Sequence, residues 1–350
     1  MGVTIKQIAE KANVSPGTVD RALHGRPDID PEVAKRILAI AKQLNYRPNT
    51  AAKALATSAK RRKITVLLQA RGNAFYQDVL RGMEAAEFAF REYNIRLEFK
   101  LLKGYDIVRQ IATLQEILDS DTEGLVITPI ADKRVFALLD QMQEKKVAIV
   151  TLNANLPQTQ KYCSVGADYY GCGQIAAGLF GMMTPNDRSA KVAVVAGSLK
   201  QSGHRQRVEG FTDTLSRDYP NIICCSTVLN DDDNELSKKY VGQLLEETPD
   251  LNGIFFCAGG IAGGLQAIKE AGCSDRLTVI TVDETEPVLK ALADRTAAAT
   301  ISQLPYEQGF QAIRTLCDKL VFGIEESGKS ILMRNEVKLR YHYPLDTQED

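Results

Sequence analysis

Two sets of side chains in this 350-residue chain have the types and spacing to do chemistry, and both suit binding better than bond breaking. Ser15, Pro16, Gly17, Thr18, Arg21 and His24 follow one another where a helix would start, with Thr4 ahead of them. A guanidinium such as that of Arg21 can bridge guanine O6 and N7 and so read a base. The second set is Asn73, Phe75, Tyr76, Asp132, Asn153, Asn155, Arg205, Asp231 and Asp283, in polar segments that follow short apolar runs. Amides, carboxylates, an arginine and aromatics are what a polyhydroxylated ligand requires, because each hydroxyl donates and accepts while a sugar face stacks on a ring. Catalysis has less support. The only histidines are His24, His204 and His342, none in a Gly-x-Ser-x-Gly or Cys–His context, and Gly259-Gly260 and Gly263-Gly264 lack the lysine and hydroxyl residue of a phosphate loop. Neither enzyme activity nor a cofactor is expected.

Three short helices must hold the first set. Thr4 and Gln7 have capping-box spacing ahead of Ile5, Ile8, Ala9 and Ala12, which share one helical face over about residues 5–12. Asn13 stands where a tight turn needs a left-handed residue, and Ser15-Pro16 reads as an N-cap followed by a first-turn proline. Val14, Val19, Ala22 and Leu23 give the second helix its buried stripe. Asp30-Pro31 repeats the start signal for a third helix, whose apolar face is Val33, Ile37, Ile40, Ala41 and Leu44. In helix–turn–helix geometry the second helix enters the DNA major groove by its N-terminal end, which presents Pro16, Gly17, Thr18, Arg21 and His24. Charge agrees: residues 1–63 hold 13 Lys/Arg against 5 Asp/Glu, while the remainder is acidic enough to bring the whole chain to −1. Such a basic head suits phosphate neutralisation.

The body reads as an α/β fold. Apolar runs ITVLLQA, GLVITPI, KVAIVTL, VAVVAG, GIFFCA and LTVITV alternate with helical segments, which implies parallel sheets. They are too many for one compact domain, so two similar lobes are expected, with the loops after the strands converging on a cleft. Seven scattered cysteines without Cys-x-x-Cys spacing read as reduced thiols, with no metal site and no disulfide framework. With no apolar run near the ~18 residues that span a membrane and no signal-peptide core in MGVTIKQIAEKA, the expected location is the cytoplasm, without a membrane partner.

The run VTIKQIAEKANVSPGTVDRALHGRPDIDPEVAKRILAIAKQLNYRPNTAAKALA resembles the head of the lactose-repressor (LacI) family, including its YRPN and small-residue hinge helix. The resemblance implies base reading by Pro16, Gly17 and Arg21, further contact by Asn49, and a hinge leucine, here Leu55, wedged into the minor groove as apolar side chains do when they kink DNA. The alanine-rich segment 50–57 is too short to be stable alone and is expected to become helical when DNA and a partner chain order it. Asp20 departs from the serine common at its position, where a carboxylate would repel phosphate, so the operator sequence does not carry over.

The body is similar to the effector domain of the same regulators and to ribose-type periplasmic sugar-binding proteins. Asn73-Ala74-Phe75-Tyr76 resembles a pocket Asn-Pro-Phe-Phe, and Arg205-Gln-Arg-Val-Glu-Gly-Phe211 an Arg-x-Arg-x-x-Gly-Phe whose first arginine holds the sugar. Asp283 and Gln303 match an aspartate and a glutamine that reach the ligand. Where the family places Asn-Asp, this chain reads Ala258-Gly259-Gly260. A ligand group there would meet backbone N–H groups or open space, pointing to an effector with a bulkier or anionic substituent, unless the glycines serve helix packing.

The whole then reads as an all-α helix-turn-helix head at 1–48, a hinge at 49–63, a first lobe at 64–158 with about 304–328, and a second at 159–303 with about 329–350. The implied protein is a homodimeric repressor of a palindromic double-stranded operator, controlled by a small sugar-like effector. The alternative is a solute-binding carrier without regulatory DNA binding.

Overall fold

The computed structural model describes residues 3–23, 29–44, 61–71, 75–104, 106–153, 163–324 and 328–343. His24, Asn49, Leu55, Asn73, Asn155 and the hinge over 49–60 lie outside the described residues. The chain divides into two compact units, Met1–Thr57 and Ser58–Asp350.

The first unit contains α1 (Ile5–Ala12), α2 (Pro16–Leu23) and α3 (Pro31–Gln43). Thr4 and Gln7 close the capping box on α1, and Asn13 ends that helix at φ 51°, so its side chain tolerates the left-handed turn the sequence demands. Ser15 Oγ accepts from Thr18 N–H at 3.1 Å, which starts α2, and Asp30 accepts from Glu32 and Val33 N–H to start α3. Ile8, Ala9, Ala12, Val19, Ala22, Ile37 and Ala41 form one buried core across the three helices.

The second unit is built on two six-stranded sheets. The first contains β1 (Arg62–Arg71), β2 (Ile95–Lys103), β3 (Gly124–Ile127), β4 (Ala148–Leu152), β5 (Cys163–Ala167) and β11 (Lys329–Met333), in the order β11-β5-β4-β3-β1-β2. The second contains β6 (Ala190–Ala196), β7 (Ile222–Leu229), β8 (Gly253–Phe256), β9 (Thr278–Val282), β10 (Ala299–Ser302) and β12 (Glu336–Lys338), in the order β12-β10-β9-β8-β6-β7. All pairings are parallel except β10 with β12. Parallel strands covered on both faces need near-continuous apolar runs, which is why β3, β4 and β8 are buried throughout.

The lobe boundaries differ from those read in the sequence. The buried strand β5 needs a neighbour on each side and finds β4 and β11, so both Cys163–Ala167 and Lys329–Met333 belong to the first sheet. The chain therefore crosses between lobes near Asp168, near Leu304 and at Arg334–Asn335, and Asn335 Nδ2 ties two crossings together by donating to Asp168 O at 2.7 Å.

Each lobe also presses two helices together at glycines. In the first, α4 (Phe75–Ala89) lies against α12 (Pro305–Cys317), and a Cβ on Gly82 or Gly309 would strike the carbonyl of Tyr306 or Val79. In the second, α7 (Tyr169–Met183) lies against α8 (Ser202–Asp218), and a Cβ on Gly173 or Gly210 would strike the carbonyl of Arg207 or Tyr170. The first lobe is completed by α5 (Ile107–Leu118) and α6 (Lys133–Glu144), the second by α9 (Asn234–Glu247), α10 (Ile261–Glu270) and α11 (Glu286–Ala293).

Candidate functional site

In the head, the caps that start α1 and α2 leave Thr4, Ser15, Pro16, Gly17 and Arg21 exposed, with Thr18 half-buried by its bond to Ser15. A Cβ on Gly17 would meet nothing nearer than Ser15 Oγ at 3.7 Å. Packing within the head does not require this glycine, and the bare backbone leaves that surface open to close approach.

In the body, the strands deliver polar side chains at their C-terminal ends. On the first lobe Tyr76 is buried, with its hydroxyl 3.5 Å from Thr128 Oγ1 and its ring edge-on to Phe75 at 5.4 Å. Burial pushes the Tyr76 hydroxyl above its ordinary pKa, while bonds to Thr128 and Asn153 oppose the shift. Buried Gln110 holds the next loop, donating to Thr128 O at 3.0 Å and accepting from Ile130 N–H at 2.9 Å. Asp132 is placed differently from the expectation. Its carboxylate caps α6 and forks onto Arg134 at 3.0 and 2.9 Å, which lowers its pKa to about 2 and occupies it locally.

The second lobe places its two neighbouring arginines differently. Arg205 is exposed, donates to Leu199 O at 3.2 Å and lies 3.7 Å from Glu209. Arg207 is the buried one: it donates to Cys257 O at 2.7 Å and lies over the Tyr169 ring at 4.9 Å. Two residues along a helix is roughly a 200° turn, so these arginines face opposite ways. A signal for this was present in the sequence: Arg207, Gly210, Phe211, Thr214 and Leu215 share one buried stripe that Arg205 does not join.

Tyr169 is a second residue the sequence reading missed, because the strand before it was not recognised. Its hydroxyl donates to Asn153 Oδ1 at 3.2 Å, so one ring touches both lobes while supporting Arg207. Gln69 on β1 is a third, buried with neither amide atom hydrogen-bonded among the described residues. Asp283, at φ 65°, accepts from Gln303 Nε2 at 2.5 Å, and Gln308 Nε2 fixes Gln303 through its carbonyl at 2.8 Å. Burial raises the Asp283 pKa, and the Arg207 charge opposes that rise. Tyr76 and Asn153 of the first lobe are thus linked to Asp283 and Gln303 of the second through Tyr169 and Arg207, with Phe75 against Tyr76.

The Ala258–Gly260 corner is not open. Asp232 from the preceding loop places its carboxylate there, accepting from Gly259 N–H at 2.8 Å, while Asp231, the expected contributor, is exposed beside it. Gly260 takes φ 77°, and a Cβ on Gly263 would strike the carbonyl of Asn234, so these two glycines serve backbone shape and the packing of α10 on α9. A separate cavity of about 490 Å³, lined by Arg81, Glu284, Tyr306, Arg334 and Lys338 among others, lies at the lobe crossings. Its lining offers alternating charge instead of the amides and rings of the cleft.

Among the described residues no cluster of His, Cys, Asp or Glu could hold a metal ion, and no helix is long and apolar enough to cross a membrane. Buried Cys172 and Cys257 are pushed by burial to about 11 and about 12, which keeps them protonated and unreactive.

Fold and site define a two-lobed binding-protein body joined to a helix-turn-helix head. Residues 64–323 match the periplasmic binding protein domain, and residues 4–49 match the bacterial regulatory proteins of the lacI family. The chain belongs to the lacI family of regulators. It is 26% identical to catabolite control protein A of Priestia megaterium over 90% of this chain and 92% of that one. It is 24% identical to the ribose operon repressor of Haemophilus influenzae, over 91% and 92%. GanP, a glucose-galactose binding protein from Geobacillus stearothermophilus, shares the fold of the body with a TM-score of 0.73, 20% identity, and coverage of 82% of this chain and all of that one.

Proposed function

We propose that this protein is a transcription repressor that acts as a homodimer in the cytoplasm, binding a palindromic operator through its head under the control of a sugar-like effector in the cleft. The observation that carries this reading is one chain holding both an exposed helix start, with Gly17 bare and Arg21 on the surface, and a cleft where Tyr169 joins Arg207 to Asn153. Thr4, Ser15, Pro16, Gly17, Thr18 and Arg21 are assigned to DNA. Phe75, Tyr76, Asn153, Tyr169, Arg207, Asp283 and Gln303 are assigned to the effector. The effector changes DNA affinity only by the difference in its own affinity for the states of the lobes.

Selection of duplexes from a random pool, followed by fluorescence anisotropy with and without a sugar panel, tests the proposal. Enrichment of a two-fold symmetric site whose affinity shifts with one sugar supports it. Recovery of an unselected pool, or a selected site indifferent to every sugar that binds the protein, would sink the regulatory part.

A further inference from the structure

Three loops of the second lobe meet around one carboxylate. A Cβ on Gly197, after β6, would collide with the carboxylate of Asp232, and one on Gly259, after β8, would come within 2.9 Å of Asp232 Cβ. Asp232 Oδ1 accepts from Gly259 N–H at 2.8 Å, and Oδ2 lies 3.4 Å from Gln201 Nε2. Buried Asn230 staples the same loops, donating to Gly259 O and accepting from Asp232 N–H, both at 3.0 Å. The two glycines therefore leave room for an acid supplied from the neighbouring loop.

The corner adjoins Arg207 through the backbone, because Cys257, whose carbonyl accepts from Arg207 at 2.7 Å, stands two residues before the Gly259 N–H that Asp232 holds. His204 feels the charges of both Asp232 and Arg207, and Cys257, whose carbonyl takes the Arg207 guanidinium, also feels Asp232. Arg207 is 4% exposed, and its Nε has no hydrogen-bond partner among the described residues, so a buried polar atom beside Cys257 is still unsatisfied. Asp232 itself remains exposed. A carboxylate offers about four lone-pair positions, and the described contacts are one donor at each oxygen.

We infer that Asp232 sets effector specificity. It accepts hydroxyl donors of a neutral polyhydroxylated ligand and repels one carrying phosphate or carboxylate at that end. This rests on the cleft being the effector site, and it reverses the sequence-based expectation of an anionic substituent. Hydrogen bonds from a hydroxyl to a carboxylate are about twice as strong as neutral ones, while a second anion at the same corner would face an acid that Gly259 holds in place. Arg207 does not turn the corner into an anion site, since it already lies in the field of Asp283.

The test compares the full chain with Asp232→Asn, which keeps the shape and the acceptor for Gly259 N–H. Isothermal titration and thermal shift would use neutral probes (D-ribose, D-glucose, D-galactose, ribitol) and anionic ones (ribose 5-phosphate, glucose 6-phosphate, glucuronate). The expected result is binding of a neutral probe that weakens by roughly tenfold to a hundredfold in Asp232→Asn, with anionic probes gaining affinity. Tight binding of an anionic probe to the unmodified protein, or a neutral probe indifferent to Asp232→Asn, overturns this inference and leaves the sugar-controlled repressor standing. If no probe of either set binds at any concentration, the cleft reading falls, and this inference with it. Circular dichroism of the variant checks that it folds; were it unfolded, Asp232→Ser, which also removes the charge and keeps an acceptor oxygen, decides by the same criteria.

Discussion

At the first sheet's strand ends the proposed cleft meets Phe75, Tyr76, Thr128 and Asn153, while the Asp132 carboxylate there is tied to Arg134. At the second sheet's ends, reached by the same strand order, it meets Arg207, Asp232, Asp283 and His204. Both lobes also use a reciprocal pair of glycines to press two helices together. Shared architecture with unlike chemistry teaches that the fold supplies a place for a ligand and the loops decide what enters. In the proposed site the first lobe would offer a platform for a sugar face, and the second would sort ligands by charge.

The comparison breaks most visibly at Arg207. Arg207→Ala is expected to lower affinity for the cognate sugar by about 2–5 kcal/mol, because truncating one member of a buried charged contact leaves the others unpaired. Arg207→Lys is expected to recover only part of that. Calorimetry on both variants checks this, and undiminished binding in Arg207→Ala would remove the arginine from the site.

Next comes Gly173→Ala, whose new methyl must displace the Arg207 carbonyl and should destabilise by about 1–3 kcal/mol. Gly82→Ala in the first lobe should cost a similar amount in denaturant unfolding yet spare effector affinity. An equal loss of affinity in both would mean that the second lobe does not dominate recognition.

Phe75→Ala is expected to weaken sugar binding by about 0.5–1.5 kcal/mol, in line with one lost ring contact. Its effect should be alike for neutral and anionic sugars, whereas second-lobe changes should separate them in the same titrations.

His204 provides a pH test. Burial lowers its pKa below the ordinary 6.5, with Arg207 adding to the shift and Asp232 opposing it, and its Nδ1 accepts from Ser198 N–H at 3.2 Å. A group depressed in the folded state stabilises above its unfolded value, and that contribution is lost as pH falls through the folded pKa. Melting temperature should therefore decline from about pH 6.5 downward, and His204→Gln should flatten the decline. An identical profile in the variant would assign the decline to other groups.

Smallest of all, Arg205→Ala removes an exposed ion pair with Glu209 and should change stability by less than about 1 kcal/mol. Its sugar affinity should equal that of the unmodified protein. A loss there would reverse the choice between the two arginines.

Local rules had already fixed the head. The Thr4 box, the Asn13 turn, the Ser15-Pro16 start and the Asp30 cap are contacts over two or three residues, so sequence spacing suffices to specify them. The central strands were legible for a similar reason, since burial on both faces demands an uninterrupted apolar run. The edge strand β7, with burial alternating along Ile222–Leu229, and the short β5 and β11 were not, because their identity depends on partners far along the chain.

The site divides in the same way. The sequence placed Phe75, Tyr76, Asn153, Asp283 and Gln303 near strand ends, and it named Arg205 and Asp231 where the fold buries Arg207 and sets the Asp232 carboxylate against Gly259. Tertiary structure decided both cases. A helix buries the stripe that packs on its sheet, which carried Arg207 inward with Phe211. The space left by two glycines in the loops after β6 and β8 chose which of two adjacent aspartates would fill it. Packing complementarity between distant segments makes such choices, and residue spacing within one segment does not contain it.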